Sequence, residues 1–298
     1  MRPFAIVAML GVLLAGGGCR DRSDRSALAE RPLVLLLSPA HGAHVAPEQR
    51  AALGAWLAGR TGRPVEVRVA ASPTDAIEAF GNHQADLGLV GVFEYLFAHR
   101  EFGAEAVLQV VRDGRTEYAA DLVVRADAPI QAPAALDGRK VAFVDPYSTS
   151  GFLLPAHLLA DARVKPQIQF AGSHDAALAQ LRAGQVDAAA TWHGAAAGDA
   201  RLRVLATTPP IPNEPFAARR DLDPKTRAAL TAALADYAAT PDGGRVLRAV
   251  SAITGVRPVT DAAYQGVADL VHSAGKSVED LVPGGQALWS RYHSVELP

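Results

Sequence analysis

The chain has 298 residues, 49% hydrophobic and 20% charged, with a formal net charge of −2. That suits one large domain or two of ordinary size and excludes a nucleic-acid binder built on a basic stripe. After the N-terminus no run approaches the ~18 apolar residues of a membrane span, and a single cysteine, Cys19, excludes an internal disulfide.

Met1 to Cys19 carries one early positive charge at Arg2, an apolar run, the small residues Gly16 to Gly18 and then the cysteine. This reads as a secretory segment, too short to span a membrane. A cysteine directly after small residues resembles a bacterial lipoprotein cleavage site, at which Cys19 is lipidated. Gly16 departs from the leucine usual there, and the other reading is an ordinary signal peptide with an incidental cysteine. Residues 20–31 are charged and aperiodic, as expected of a tether.

Leu33 to Ser38 is an uninterrupted apolar run ending in Ser38-Pro39, the pattern of a strand buried on both faces. A helical pattern follows over Pro47 to Leu57. Val65 to Val69 alternates as a second strand, Thr74 to Phe80 reads as a helix, Ala85 to Val90 as a third strand, and Val92 opens another helix. Alternating strands and helices predict a parallel sheet, with ligands bound beyond the carboxyl ends of its strands. His41 and His44 are spaced by three, but no third ligand stands at usable spacing, so they read as cleft-lining or loop residues and not as a metal site.

Tyr118 to Val124 is a further strand, with Tyr118 read as structural. Val141 to Val144 is a short β-branched and aromatic run that Asp145-Pro146 ends. Ser148, Thr149, Ser150 and Gly151 then lead into an apolar helical pattern from Phe152 to Leu159. The first N–H groups of a helix lack intrahelical partners and carry partial positive charge, so this turn reads as an anion site. One of the serines as a plain N-cap is the competing reading; three consecutive hydroxyls exceed what one cap needs. Gln167 to Phe170 reads as a strand, and Ser173 or Asp175 caps a helix running to Ala183. Val186 to Thr191 and Arg203 to Ala206 are strands. The proline-rich Thr207 to Phe216 is stiff, and helices follow at Asp223 to Ala239, from Thr240 onward, and at Asp261 to His272. Gln286 to Tyr292 reads as a short closing helix.

Val144-Asp-Pro-Tyr-Ser-Thr-Ser-Gly-Phe-Leu-Leu-Pro155 resembles the signature of the phosphonate/phosphite-type periplasmic binding proteins, the solute-binding subunits of ABC importers. The resemblance covers about Leu33 to Val271. It implies a type II periplasmic binding protein: an α/β chain of two lobes, each a mostly parallel sheet flanked by helices, with two crossover strands as hinge. The implied boundaries are a signal and tether at 1–31, lobe I at 32–122 plus 216–298, and lobe II at 123–215. The implied ligand-binding residues are Tyr95, Ser148, Thr149, Ser150, Gly151, His174 and Glu214. In the implied mechanism the hydroxyls and helix N–H groups hold the oxyanion while Tyr95 and His174 close over it. Glu214 stands where relatives place an acid near the ligand. Pro73 and Thr74 depart from the family's frequent aromatic, and Gly194 cannot supply the acid that aminoalkylphosphonate binders carry there.

The expected function is capture of a phosphonate, phosphite or related phosphorus oxyanion and delivery to a membrane permease with its ATPase, from a lipid anchor at Cys19 outside the cytoplasm. The alternative is a sensing module for a membrane receptor or kinase. No cofactor and no nucleic-acid partner are expected. A secreted phosphate-ester hydrolase is disfavoured: there is no nucleophile elbow, Walker loop, His-Glu-x-x-His or paired-cysteine motif, and Ser173-His174-Asp175, being adjacent in sequence, cannot form a triad.

Overall fold

The computed structural model describes residues 31–273. The secretory segment, Cys19, most of the tether and the expected closing helix at Gln286 to Tyr292 lie outside the described residues. Within them the chain forms two main sheets. The first lobe holds β1 (Leu33–Leu37), β2 (Val65–Val69), β3 (Leu87–Leu89), β4 (Glu105–Val111), β12 (Pro215–Ala218) and β13 (Gly255–Pro258), in the order β13-β4-β12-β3-β1-β2. The second lobe holds β6 (Ala120–Arg125), β7 (Lys140–Phe143), β8 (Gln167–Phe170), β9 (Ala188–Trp192) and β10 (Leu202–Thr207), in the order β10-β6-β9-β7-β8.

The apolar run of β1 is explained by its neighbours. It lies between β2 and β3, parallel to both. Leu33, Leu35 and Leu37 enter one core while Leu36 enters the other, on the opposite face. Each buried leucine contributes about 1.5–3 kcal/mol, and a one-residue slip would exchange the two faces. The second lobe repeats the design with smaller residues. Val141 and Phe143 of β7 and Ala188 and Ala190 of β9 face one core, Ala142 and Ala189 the other.

Helices cover the sheets: α1 (Pro39–Gly42), α2 (Pro47–Thr61), α3 (Pro73–Gly81), α4 (Val92–Phe102), α5 (Leu154–Asp161), α6 (His174–Arg182), α7 (Pro224–Ala239), α8 (Pro241–Ser251) and α9 (Gln265–Ser273). Ser173 is the cap of α6, accepting from the Ala176 N–H at 3.1 Å. Neither sheet is wholly parallel. β12 runs antiparallel to β3 and β4, and β6 antiparallel to β9 and β10. Strands β4 and β13, not expected from the sequence, widen the first sheet.

The chain passes between the lobes twice. The expected strand from Tyr118 is interrupted at Ala119, because β5 (Glu117–Tyr118) pairs with β11 (Ile211–Pro212) while β6 pairs inside the second sheet. The two passages thus lie antiparallel, Ile211 opposite Tyr118 and Pro212 opposite Glu117.

Candidate functional site

The hydroxyl-rich turn leaves β7 at the carboxyl edge of the second sheet. Asp145 folds it: its Oδ1 accepts from the Tyr147 N–H at 2.8 Å and its carbonyl from the Ser148 N–H at 3.3 Å. The Ser148 carbonyl accepts from both Phe152 and Leu153 N–H, and the second of these makes Thr149–Leu153 a π-helical turn that runs into α5. The expected helix from Phe152 therefore starts earlier, at Thr149. Only glycine fits at 151. A Cβ there would lie 2.3 Å from Val144 Cγ2 and 2.7 Å from Ser148 Oγ.

The three hydroxyls are held in different ways. Ser148 Oγ accepts from the Gly151 N–H at 3.0 Å. Thr149 Oγ1 accepts from the Phe93 N–H at 3.0 Å, across the cleft, at the start of α4. Ser150 lies beside the Tyr118 hydroxyl. Thr149 and Ser150 are buried. A hydroxyl carries one proton. Ser148 and Thr149 thus accept from backbone N–H groups while their own protons remain available to donate. A second bond crosses the cleft between the hydroxyls of Thr74 and Tyr147, at 3.0 Å.

The facing wall comes from the first lobe. Glu94, 4% exposed, accepts from Gly91 N–H at 2.6 Å and from Ser38 Oγ at 2.9 Å. Burial pushes its pKa up to about 7, the two hydrogen bonds oppose that, and Asp145 and Glu214 add to it. Glu214, on the return passage, takes Arg112 Nη1 at 2.6 Å. Burial raises the Glu214 carboxyl, but the Arg112 guanidinium beside it holds it below its ordinary range. The Arg112 guanidinium is also fixed by the Ser251 carbonyl, at 2.8 Å, and by Ser251 Oγ, at 2.9 Å. Tyr118 is raised well above the usual phenol by burial and by Glu214. It stays neutral and links the hydroxyl turn to the hinge.

His174 and Tyr95 stand differently from the hydroxyls. His174 Nδ1 lies 3.0 Å from Thr191 Oγ1. Burial pushes its pKa down to about 4, against a smaller opposing effect of Asp175. Burial thus disfavours a charged imidazolium at this position. The Tyr95 hydroxyl donates to Asp261 Oδ1, and its ring packs against Tyr264 at 4.9 Å. Both the ring and the hydroxyl are thus engaged within the first lobe. Trp192 is 47% exposed, and His193 Nδ1 lies 3.0 Å from Asp121. His44 is exposed on its loop, whereas His41 is buried. Among the described residues no group of three or more His, Cys, Asp or Glu is arranged to hold a metal ion.

Sequence reasoning passed over Glu94, Arg112 and the contact of Tyr118 with Ser150. The Gly91-x-x-Glu94 spacing is the helix-start signal in which a residue-three carboxylate reaches back to the backbone. Arg112 follows a strand that was not expected, so nothing flagged it.

Residues 35–264 match the family described as ABC transporter, phosphonate, periplasmic substrate-binding protein. Among curated proteins, the phosphate-import protein PhnD of Mycolicibacterium smegmatis is 33% identical over 144 residues, 43% of this chain and 45% of that protein. The aligned stretch thus spans less than half the relative's length. Among solved structures, XAC2383 of Xanthomonas citri bound to ATP superposes with a TM-score of 0.73 at 22% identity, over 84% of this chain and 99% of that one. PhnD1 of Prochlorococcus marinus in complex with methylphosphonate gives 0.69 at 19% identity, over 83% and 100%. A binding-protein component of a Pseudomonas aeruginosa phosphonate transporter gives 0.66 at 18%, over 89% and 96%. At these identities the structures speak to the fold.

Proposed function

Because the chain belongs to the periplasmic phosphonate-binding family of ABC transporter substrate-binding proteins, we propose that it captures a small phosphorus oxyanion between its lobes and delivers it to a membrane permease with its ATPase. The observation that carries this reading is the arrangement of Ser148 and Thr149. Each hydroxyl accepts from a backbone N–H, Gly151 and Phe93 respectively, and each keeps its proton for an external acceptor. Hydrogen bonds to a charged acceptor are the strong ones. Ser150 completes the grip, with Tyr118 beside it at the hinge. In this reading His174 serves as a neutral wall residue, and Tyr95 supports the α4 start that Thr149 touches. Glu214 works as a partner of Arg112.

Lobe I, residues 32–122 with 216–298, and lobe II, residues 123–215, are proposed as the moving bodies, with the paired passages β5 and β11 as hinge. The ligand favours closure because only the closed arrangement brings both lobes onto it. Family membership implies a family of solute binders, not of catalysts. Lipidation of Cys19 would tether the protein outside the cytoplasm. If so, Cys19→Ala releases it from the membrane fraction; a variant that stays bound would sink the anchor.

The test of function is a thermal-shift and calorimetric screen with phosphate, phosphite, methylphosphonate, 2-aminoethylphosphonate and sulfate. At a thousandfold excess over Kd a true ligand stabilises by about 4 kcal/mol. No shift with any phosphorus oxyanion would overturn the reading.

A further inference from the structure

We propose that His41 is a ligand contact on the first-lobe wall, donating its Nε2–H to an oxygen of the anion held by the second lobe. The proposal rests on the oxyanion-binding reading above and names a residue that reading does not use. His41 lies in α1, directly after the carboxyl end of β1, the edge at which such sheets bind ligands. It is 7% exposed. Its Nδ1 lies 3.2 Å from Ser251 Oγ, while its Nε2 is buried without a hydrogen-bond partner.

The surroundings favour one placement of the ring proton. Arg112 has only donors to offer. Its Nη2 donates to Ser251 Oγ at 2.9 Å, its Nε to the Ser251 carbonyl and its Nη1 to Glu214. We assign the serine proton to His41 Nδ1, because Ser251 Oγ already accepts from Arg112 Nη2 and Arg112 offers no acceptor for it. That nitrogen is then the acceptor, and the ring proton sits on Nε2. Burial, the largest influence on this ring, disfavours its charged form; Arg112 does the same and Glu214 opposes it. What faces the interior is a neutral, oriented N–H without an acceptor. Buried donors are almost always satisfied, so an unsatisfied one at a cleft points to a missing acceptor.

The acceptor side can be located. The His41 backbone N–H donates to the Ser38 carbonyl, the Ser38 hydroxyl reaches Glu94, and the neighbouring Phe93 N–H meets Thr149 of the hydroxyl turn. Tyr118 lies beside Ser150 of that turn. His41 and the turn therefore border the same interior from opposite lobes. The Glu214 oxygen Oε2 is already engaged by Arg112, which leaves the N–H for the ligand.

The test is titration calorimetry on the full chain and on His41→Leu and His41→Gln, with phosphate, phosphite and methylphosphonate, alongside melting curves without anion. The expected result is a 10- to 100-fold weaker Kd for His41→Leu with an unchanged or raised ligand-free melting temperature, because the orphaned donor is gone. His41→Gln, whose amide can still donate, should recover part of the affinity. His41→Leu binding as tightly as the wild type overturns the proposal alone. So does loss of affinity in step with a collapsed ligand-free melting temperature in both variants, the mark of a structural histidine. Wild-type protein that takes none of the three anions overturns the oxyanion reading, and this proposal with it.

Discussion

The two walls of the cleft solve the same problem by opposite means. The second-lobe wall is seven consecutive residues, Asp145 to Gly151, folded by their own backbone and presenting neutral hydroxyls. The facing wall is collected from Ser38, His41, Glu94, Arg112 and Ser251 of the first lobe and Glu214 of the return passage, and its Arg112–Glu214 charges cancel locally. On the proposed reading the neutral turn holds the anion, with the His41 N–H adding to its grip from the opposite wall. The charged wall settles what else the ligand carries, because its one free-standing cation, Arg112, is spent on Glu214.

Breaking the turn should have the largest effect. Ser148→Ala with Thr149→Ala removes two donors to a charged acceptor, and calorimetry should show binding at least about 100-fold weaker. Retained affinity would move the anion elsewhere. On the other wall, Arg112→Leu leaves the Glu214 carboxylate buried and unpaired, which should cost about 3 kcal/mol in a denaturant titration. The same variant should now prefer 2-aminoethylphosphonate over methylphosphonate, since an ammonium can replace the guanidinium. Gly151→Ala forces a methyl group onto Val144, and a loss of about 1–3 kcal/mol is expected from overpacking, together with weaker anion binding.

The smallest effects are those of protonation and of the ligand's amine. The Glu94 pKa is raised from 4.5 to about 7, so the folded state binds the extra proton between those values. Its contribution to stability falls as pH rises through that window. Glu94→Gln should flatten that fall. His174 acts with the opposite sign. Its pKa is lowered from 6.5 to about 4, so its contribution is complete above 6.5 and lost as pH falls toward 4. In the wild type, where Arg112 compensates Glu214, 2-aminoethylphosphonate should bind within about tenfold of methylphosphonate. A much larger advantage for the amine would show that the carboxylates are not neutralised.

This contrast also governs what could be read from the sequence. The turn was legible because its chemistry is local: a strand, a proline stop, three hydroxyls and a glycine occur in the order in which they act. The strands of both lobes were legible for a similar reason. Leu33 to Leu37 and Val141 to Phe143 are apolar on both faces because both faces are covered. The charged wall was not legible. Arg112 meets Glu214 and Ser251 across more than a hundred residues, and no periodicity links them. Tyr95 and Tyr118 show the same limit. Both are tyrosines near the carboxyl side of a strand or the hinge, and only the fold decides that Tyr118 reaches Ser150 while Tyr95 turns to Asp261.

The acceptance of the Phe93 N–H by Thr149 has a consequence for selectivity between tetrahedral anions. A turn whose hydroxyls give their protons outward cannot count the protons on its cargo. Sulfate, which carries none at neutral pH, and a hydrogen phosphate, which carries one, present it with equivalent bare oxygens. Telling the two apart requires a group that can receive a proton from the cargo, and Glu94 of the facing wall and Glu214 of the return passage are carboxylates outside the turn.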